Sequence, residues 1–401
     1  MKKITALLIS LVLAISLGGC FGEDTVTVET ESEILSVYKT RETDFEVDGP
    51  EVYYYADFEK VYLSQEDGAK YPALKNALDE FNSENTRQWQ ESVNDLKVFA
   101  RDMLAMESKA LPLEDKNSLS VQRADDKVLS LMTYNYWYSG GAHGYHSHTG
   151  VNFDVETGKV LALSDIFTST DGICEIIVEK LRAKYTDMEF SGLEEIIESA
   201  YDNDELSYIV GYQGVTFCFS PYHLGSFADG EQFVTIYYEE YPGLFYEKYT
   251  RVPSSYVIGE PVSVDMNGDF SDNEFEAYPT YEGAIYIAVN GQEYRDEDIY
   301  FDEADCYLIC NEGEYYIYTE LSQEDWKISV LYAIGENGIE KVQTLHGTGL
   351  GWEDVEGEHC KKIPCDAGDI LLKTWDEPLS TDGENKSYFI DAESGILTTN
   401  E

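Results

Sequence analysis

Three of the six histidines lie within six residues, in His143-Gly-Tyr-His146-Ser-His148. Side chains two residues apart on a strand point to one face, so His146 and His148 form the nearest approach in the sequence to a zinc- or copper-ligating pair. No His-Glu-x-x-His accompanies them, and no thiol or carboxylate stands at a diagnostic distance. The simpler alternative is a packed hairpin that carries surface imidazoles.

Other catalytic groups are harder to single out. With 78 Asp and Glu residues, neighbouring carboxylates arise by chance, so no glycosidase dyad follows from any one pair. No Gly-x-Ser-x-Gly and no glycine-rich phosphate loop with its lysine is present. Asp265-Met-Asn-Gly-Asp269 has the start of a calcium loop but lacks the twelve-residue pattern with its closing Glu, which favours a solvated turn. No cofactor is implied.

Four cysteines gather late in the chain as Cys306-x3-Cys310 and Cys360-x4-Cys365. Four thiolates could hold zinc, but the spacing is not that of a two-residue knuckle. In an exported protein, one or two disulfides among Cys306, Cys310, Cys360 and Cys365 are the expectation. Cys174 and Cys218, with mostly apolar neighbours, fit buried thiols or a further bridge.

Export is itself read from the start of the chain. Met1-Lys2-Lys3 is positive, Ile4 to Leu17 is apolar, and Leu17-Gly18-Gly19-Cys20 closes the stretch with small residues before a cysteine. An apolar run of about 14 residues is too short for a mature membrane span. It predicts a lipoprotein signal peptide over 1–19, lipid on Cys20, and anchorage at the outer face of the cell membrane.

Loss of Lys2 and Lys3 with that leader leaves 25 basic against 78 acidic side chains, a formal charge of −53. Nucleic-acid affinity is built on Lys and Arg against phosphate, so a DNA or RNA partner is excluded. Such a field would attract cationic proteins, peptides or divalent metals, although simple solubility would also account for it.

The elements that must position these residues are legible in outline. Residues 20–45 read as a tether or first edge strand, and Glu51–Leu63 as a strand. Leu74, Leu78, Phe81, Trp89, Val93, Leu96 and Met103 recur at helical intervals, giving one long helix or two jointed near 82–86. A β-meander follows over 127–167, with the turn 139–144. Helical spacing returns at 171–186 and 191–202, and a strand pair spans 215–222 and 233–238. Beyond about residue 253, short aromatic strands alternate with acidic turns. The expected fold is α+β: a mixed or antiparallel sheet with packed helices over 46–250, then a separate all-β domain over 255–401.

Several ordered motifs carry a family likeness. Tyr71-Pro72 opens a helix, and Tyr138-Ser-Gly-Gly-Ala-His-Gly144 makes a turn. Asn152-Phe-Asp-Val-Glu-Thr-Gly-Lys159 precedes Leu163-Ser-Asp-Ile-Phe167. Phe217-Cys-Phe-Ser-Pro-Tyr222 is followed by Gly225 and Ala228-Asp-Gly230. Over about residues 45–250 this text resembles the RsiV-like extracellular domain family, which covers the C-terminal domain of an anti-sigma factor and a non-catalytic region of the peptidoglycan deacetylase PdaC. The resemblance implies an α+β envelope domain that, in one member, binds lysozyme. The lipoprotein leader and the lack of a deacetylase Asp/His ligand set mean that sigma-factor control and deacetylation do not carry over.

The leading expectation is therefore a lipid-anchored, non-catalytic binding protein for a lysozyme-like cationic protein or for peptidoglycan glycan. Its contacts would come from the 139–148 turn and the 222–231 loop, with Tyr138, His143, Tyr145, Tyr222, His223 and Phe227 as candidates. The alternatives are a metal-dependent wall enzyme using His146 and His148, and an extracellular structural or solute-binding lipoprotein.

Overall fold

The computed structural model describes residues 32–48, 51–106, 112–260, 264–270, 275–279, 285–289, 292–296, 301, 303–323, 326–335, 338–375 and 383–399. The expected leader, Cys20 and the first part of the expected tether lie outside the described residues. From Val37 onward the tether expectation gives way to structure, because Val37 and Tyr38 are buried in an interior strand.

That strand, β1 (Val37–Asp48), forms a hairpin with β2 (Glu51–Leu63). After α1 (Gln65–Lys70) and α2 (Pro72–Ala105) come β3 (Leu113–Ala124), β4 (Val128–Tyr138) and β5 (Tyr145–Asp154). Strands β2 and β3 are parallel, so α1 and α2 form the crossover between them. The helix is continuous. Pro72 starts it at a position where a missing N–H costs nothing, and Leu74, Leu78, Trp89, Val93 and Leu96 bury one stripe on the sheet.

Asn82 interrupts that stripe for a reason. Its Oδ1 accepts from the Val61 N–H at 3.1 Å and its Nδ2 donates to the Val61 carbonyl at 2.7 Å, so one buried amide pins α2 across β2. Replacing Asn82 with alanine leaves both backbone groups buried and unpaired. Chemical denaturation is expected to show a loss of about 1–3 kcal/mol, larger than at exposed Asn94 on the same helix.

A second layer follows: α3 (Leu163–Ile166), α4 (Ile173–Lys184), α5 (Leu193–Asp202) and the antiparallel strands β6 (Ser207–Val210), β7 (Gly214–Phe219) and β8 (Gln232–Tyr237). Ile173, Ile177 and Leu181 turn one face of α4 onto this sheet, in a core shared with Val215, Phe217 and Ile236. Asn152 of β5 ties the layer to the first sheet. Its Nδ2 donates to the Tyr208 carbonyl at 2.9 Å, and its Oδ1 accepts from Val210 N–H at 2.8 Å and Ser130 Oγ at 2.7 Å.

Beyond α6 (Glu247–Thr250), the chain is largely β, as expected. Strand β9 (Ser255–Gly259) precedes the three-stranded sheet of β10 (Phe275–Pro279), β11 (Ile285–Val289) and β12 (Gln292–Asp296). Strands β13 (Glu303–Asn311), β14 (Glu314–Gln323), β15 (Trp326–Gly335) and β16 (Gly338–His346) join β9 in the order β16-β15-β14-β13-β9. Next are β17 (Thr348–Leu350), β18 (Trp352–Val355), β19 (Glu358–Ile363), β20 (Ile370–Trp375), β21 (Gly383–Ile390) and β22 (Leu397–Thr399). Most of these form sheets of their own, but the β18–β19 hairpin does not. It extends the first sheet to β18-β19-β1-β2-β3-β4-β5, with β19 antiparallel to β1.

The cysteines correct the disulfide expectation: none of the six is bridged. Cys306 and Cys310 share one face of a single strand. Four residues of strand separate their Cα atoms by about 13 Å, twice what a disulfide spans. Cys310, Cys360 and Cys365 sit in three different hydrophobic clusters. Burial pushes the Cys306 and Cys365 thiols well up, so they behave as small apolar side chains.

Candidate functional site

The pleat of β5 places His146 and His148 on one face, opposite Tyr136 and Tyr134 of β4. The hairpin turn between the two strands carries His143. The β7–β8 connection comes up against the same face. It is held by Ser226, which donates from N–H and Oγ to Asp229 Oδ2 at 2.6 and 2.7 Å, and by Gln232, which donates to the Asp229 and Gly230 carbonyls at 2.9 and 2.8 Å.

The two loops, some eighty residues apart in sequence, meet in a chain of rings. His143 stacks on Phe227 with centroids 3.8 Å apart, His146 meets the same ring edge-on at 5.7 Å, and Tyr222 lies 5.7 Å from it on another side. Beneath them Glu231 reaches between the imidazoles. Its Oε1 is 2.6 Å from His148 Nδ1, and its Oε2 is 4.0 Å from His146 Nε2. The His148 N–H donates to Ser220 Oγ at 3.3 Å. Tyr134 packs 5.0 Å from the His148 ring, and burial, reinforced by Glu231, pushes its hydroxyl up to about 12, so it stays a neutral donor. Tyr222 is 57% exposed and holds φ +73°, a left-handed conformation unusual for a tyrosine, which presents its ring outward.

The expected residues do not all converge. His143, Tyr222 and Phe227 come together with His146 and His148. Tyr138 turns its hydroxyl back to the Gly141 carbonyl at 3.2 Å, inside its own turn. Tyr145, adjacent to His146, projects to the opposite face. With His223 it borders instead a cavity of about 590 Å³ along the outer edge of β5.

Among the described residues, no three His, Cys, Asp or Glu side chains are grouped so as to hold a metal ion. His146 and His148 are engaged with Glu231, a residue the sequence reading did not single out and which nothing marks among 78 acids. The Asp265 turn is likewise closed on itself. Its carboxylate accepts from the Asn267, Gly268 and Phe270 N–H groups at 3.1, 2.7 and 2.9 Å. The arrangement gathers the exposed rings of Tyr222 and His143 with the half-buried Phe227 over the Glu231 carboxylate.

Residues 63–146, from the end of β2 through α2, β3 and β4 into the first residues of β5, match the family model for deacetylase PdaC. The resemblance to the RsiV-like domain family therefore holds over that segment. A DUF3298-family protein from Bacteroides fragilis NCTC 9343 is 16% identical, with 55% of this chain and 96% of that one covered and a TM-score of 0.42. A DUF3298-family protein from Pseudomonas aeruginosa PAO1 is 15% identical, with 55% and 97% covered and a TM-score of 0.37. No curated protein matches the chain.

Proposed function

We propose that this chain is a binding protein anchored by lipid on Cys20 to the outer face of the cell membrane, and that it captures a cationic, lysozyme-like protein. What supports this reading is the junction of the 139–148 turn with the 222–231 loop, where Tyr222, Phe227 and His143 form an aromatic surface next to Glu231. The formal charge of −53 left after loss of the leader, 25 basic against 78 acidic side chains, would steer a basic partner toward the protein, and rings of this kind supply the short-range energy once it arrives. The PdaC-type segment ends within the hairpin that carries half of the surface.

The test uses the soluble protein beginning at Phe21, mixed with lysozyme in low and moderate salt. A complex is expected at low salt, with an association rate that falls as salt rises. Tyr222→Ala combined with Phe227→Ala is expected to weaken it by about tenfold or more, since a central aromatic anchor is worth roughly 2 kcal/mol. Absence of a complex at low salt removes the reading.

A further inference from the structure

The opposite face of the first sheet carries a second site. Where α2 crosses the sheet, a cavity of about 360 Å³ opens between the helix and β3, β4 and β5. Its size falls in the range of about 300–1,000 Å³ typical of small-molecule pockets. The cause is legible in the helix. Asn82, Asn85 and Trp89 follow at intervals of three and four, so Asn85 stands on the buried stripe where a close-packed helix would place leucine. Asn82 has its partners on β2. Asn85 has none, nor has Asn135 on the facing strand: neither amide makes a side-chain hydrogen bond among the described residues, although both line the cavity.

The remaining wall is of matching kind. Asn117 lies across from Asn135 in register and donates to Asp115 Oδ1 at 2.9 Å, and Thr149 closes one side. Trp89 forms an aromatic wall, stacked on Phe58 with centroids 5.8 Å apart, and its buried indole N–H lacks a partner. The two carboxylates present are already engaged: Glu59 by Lys39 at 2.8 Å and Arg41 at 3.3 Å, and Asp115 by Ser92 and Asn117. No cation is left in the lining to attract an anion. One pleat beyond Asn135 on the same face, Trp137 and Tyr145 are directly paired across strands and stand 50% and 39% exposed. They make an aromatic shelf one pleat beyond the cavity lining on that face.

We propose that this cavity binds a neutral saccharide chain, with one sugar held by the Asn85, Asn117 and Asn135 amides and the next stacked on Trp137 and Tyr145. Each amide offers a donor and an acceptor side by side, which matches adjacent sugar hydroxyls or an acetamido group. Aromatic faces match the apolar C–H face of a pyranose, and the absence of unpaired charge selects against ionic ligands. The site is independent of the cationic-protein surface, because His146 and His148 occupy the other side of the pleat.

The soluble protein is titrated with tetramers of β-1,4-linked N-acetylglucosamine and of β-1,4-linked glucose, by calorimetry and tryptophan fluorescence. Saturable binding of at least one sugar is expected with a Kd of about 1 mM or tighter. Asn135→Ala and Trp137→Ala are each expected to weaken it roughly fivefold, the worth of one hydrogen bond or one stacking contact. Both replacements are at half-buried or exposed positions, and circular dichroism checks that they fold. Tyr222→Ala on the opposite face is expected to leave sugar binding unchanged. Failure of both sugars to saturate, or binding undiminished in both cavity variants, overturns the proposal. Loss of lysozyme binding in Tyr222→Ala with sugar binding intact separates the two sites.

Discussion

Replacing Arg123 with methionine is expected to remove about 3–5 kcal/mol of stability, read as a fall in denaturant midpoint with little change in slope. Arg123 is fully buried. Its Nε donates to Asp125 Oδ2 at 2.8 Å, and its Nη1 donates to the Tyr249 carbonyl at 2.8 Å and the Gly211 carbonyl at 3.1 Å. The guanidinium also lies 5.7 Å from the centroid of the Tyr212 ring. Burial works against its charge, but Asp125 and the surrounding oxygens outweigh burial and hold its pKa above the ordinary value. Methionine fills similar space but leaves the Asp125 charge without its counter-charge and the Tyr249 carbonyl without its donor, while the Gly211 carbonyl keeps the Tyr238 hydroxyl at 3.0 Å. Asp125 also receives the Lys127 and Val128 N–H groups at 2.8 and 2.9 Å, so the β3–β4 turn should loosen with it. Adding Asp125→Asn to Arg123→Met is expected to recover part of the loss, because the stranded charge is then gone. If the double variant is no more stable than the single one, the damage comes from the lost carbonyl contacts and not from the charge.

Gly150→Ala is the second large effect, and it acts on the site from a distance. A Cβ on Gly150 would stand 1.9 Å from the Tyr208 carbonyl oxygen and 2.5 Å from its carbon, both rigid backbone of β6. Strand β6 must move away from β5. That movement breaks the bond from Gly150 N–H to Ser207 Oγ at 3.0 Å and the Asn152 amide contact with Tyr208. Overpacking of this kind costs about 1–3 kcal/mol, and backbone on both sides puts Gly150 at the upper end. Because β7 pairs with β6 and β8 with β7, and these two strands carry the 222–231 loop between them, the register between His148 and Glu231 should be lost as well. Hydrogen exchange is expected to speed up across β6–β8 while α2 and β2 keep their protection. Uniform acceleration over the whole chain would show that the layer does not move as a unit.

Much of this was legible in the sequence where periodicity is strong. The stripe from Leu74 to Leu96 specified α2, and the strand–turn–strand text around Ser139-Gly140-Gly141 specified the hairpin. Ring-bearing residues at 143, 222 and 227 lie on two loops, and their meeting depends on Asn152 and Gly150 docking one sheet against the other, which no local pattern encodes. Glu231 was invisible because one acid among so many carries no signal, and only the fold places it between two imidazoles. Asn85 was the opposite case. It is a polar residue on an apolar stripe, a mismatch present in the sequence, yet it reads as a joint between helices unless the helix is known to be continuous. The cysteines misled because spacing along the chain says nothing about which side of which strand a thiol occupies.

The pairing of β19 with β1 has a consequence for how the chain matures. Residues 37–39 lie beside 361–363, so the first strand has one neighbour as soon as β2 follows it and waits some three hundred residues for the other. Contacts of such long sequence separation slow folding, and an open strand edge invites pairing with other chains in the interval. A protein that emerges from its N-terminus must therefore carry an unfinished edge until nearly all of it has appeared. The excess of acidic side chains, which repels one copy from another, then acts as protection during synthesis.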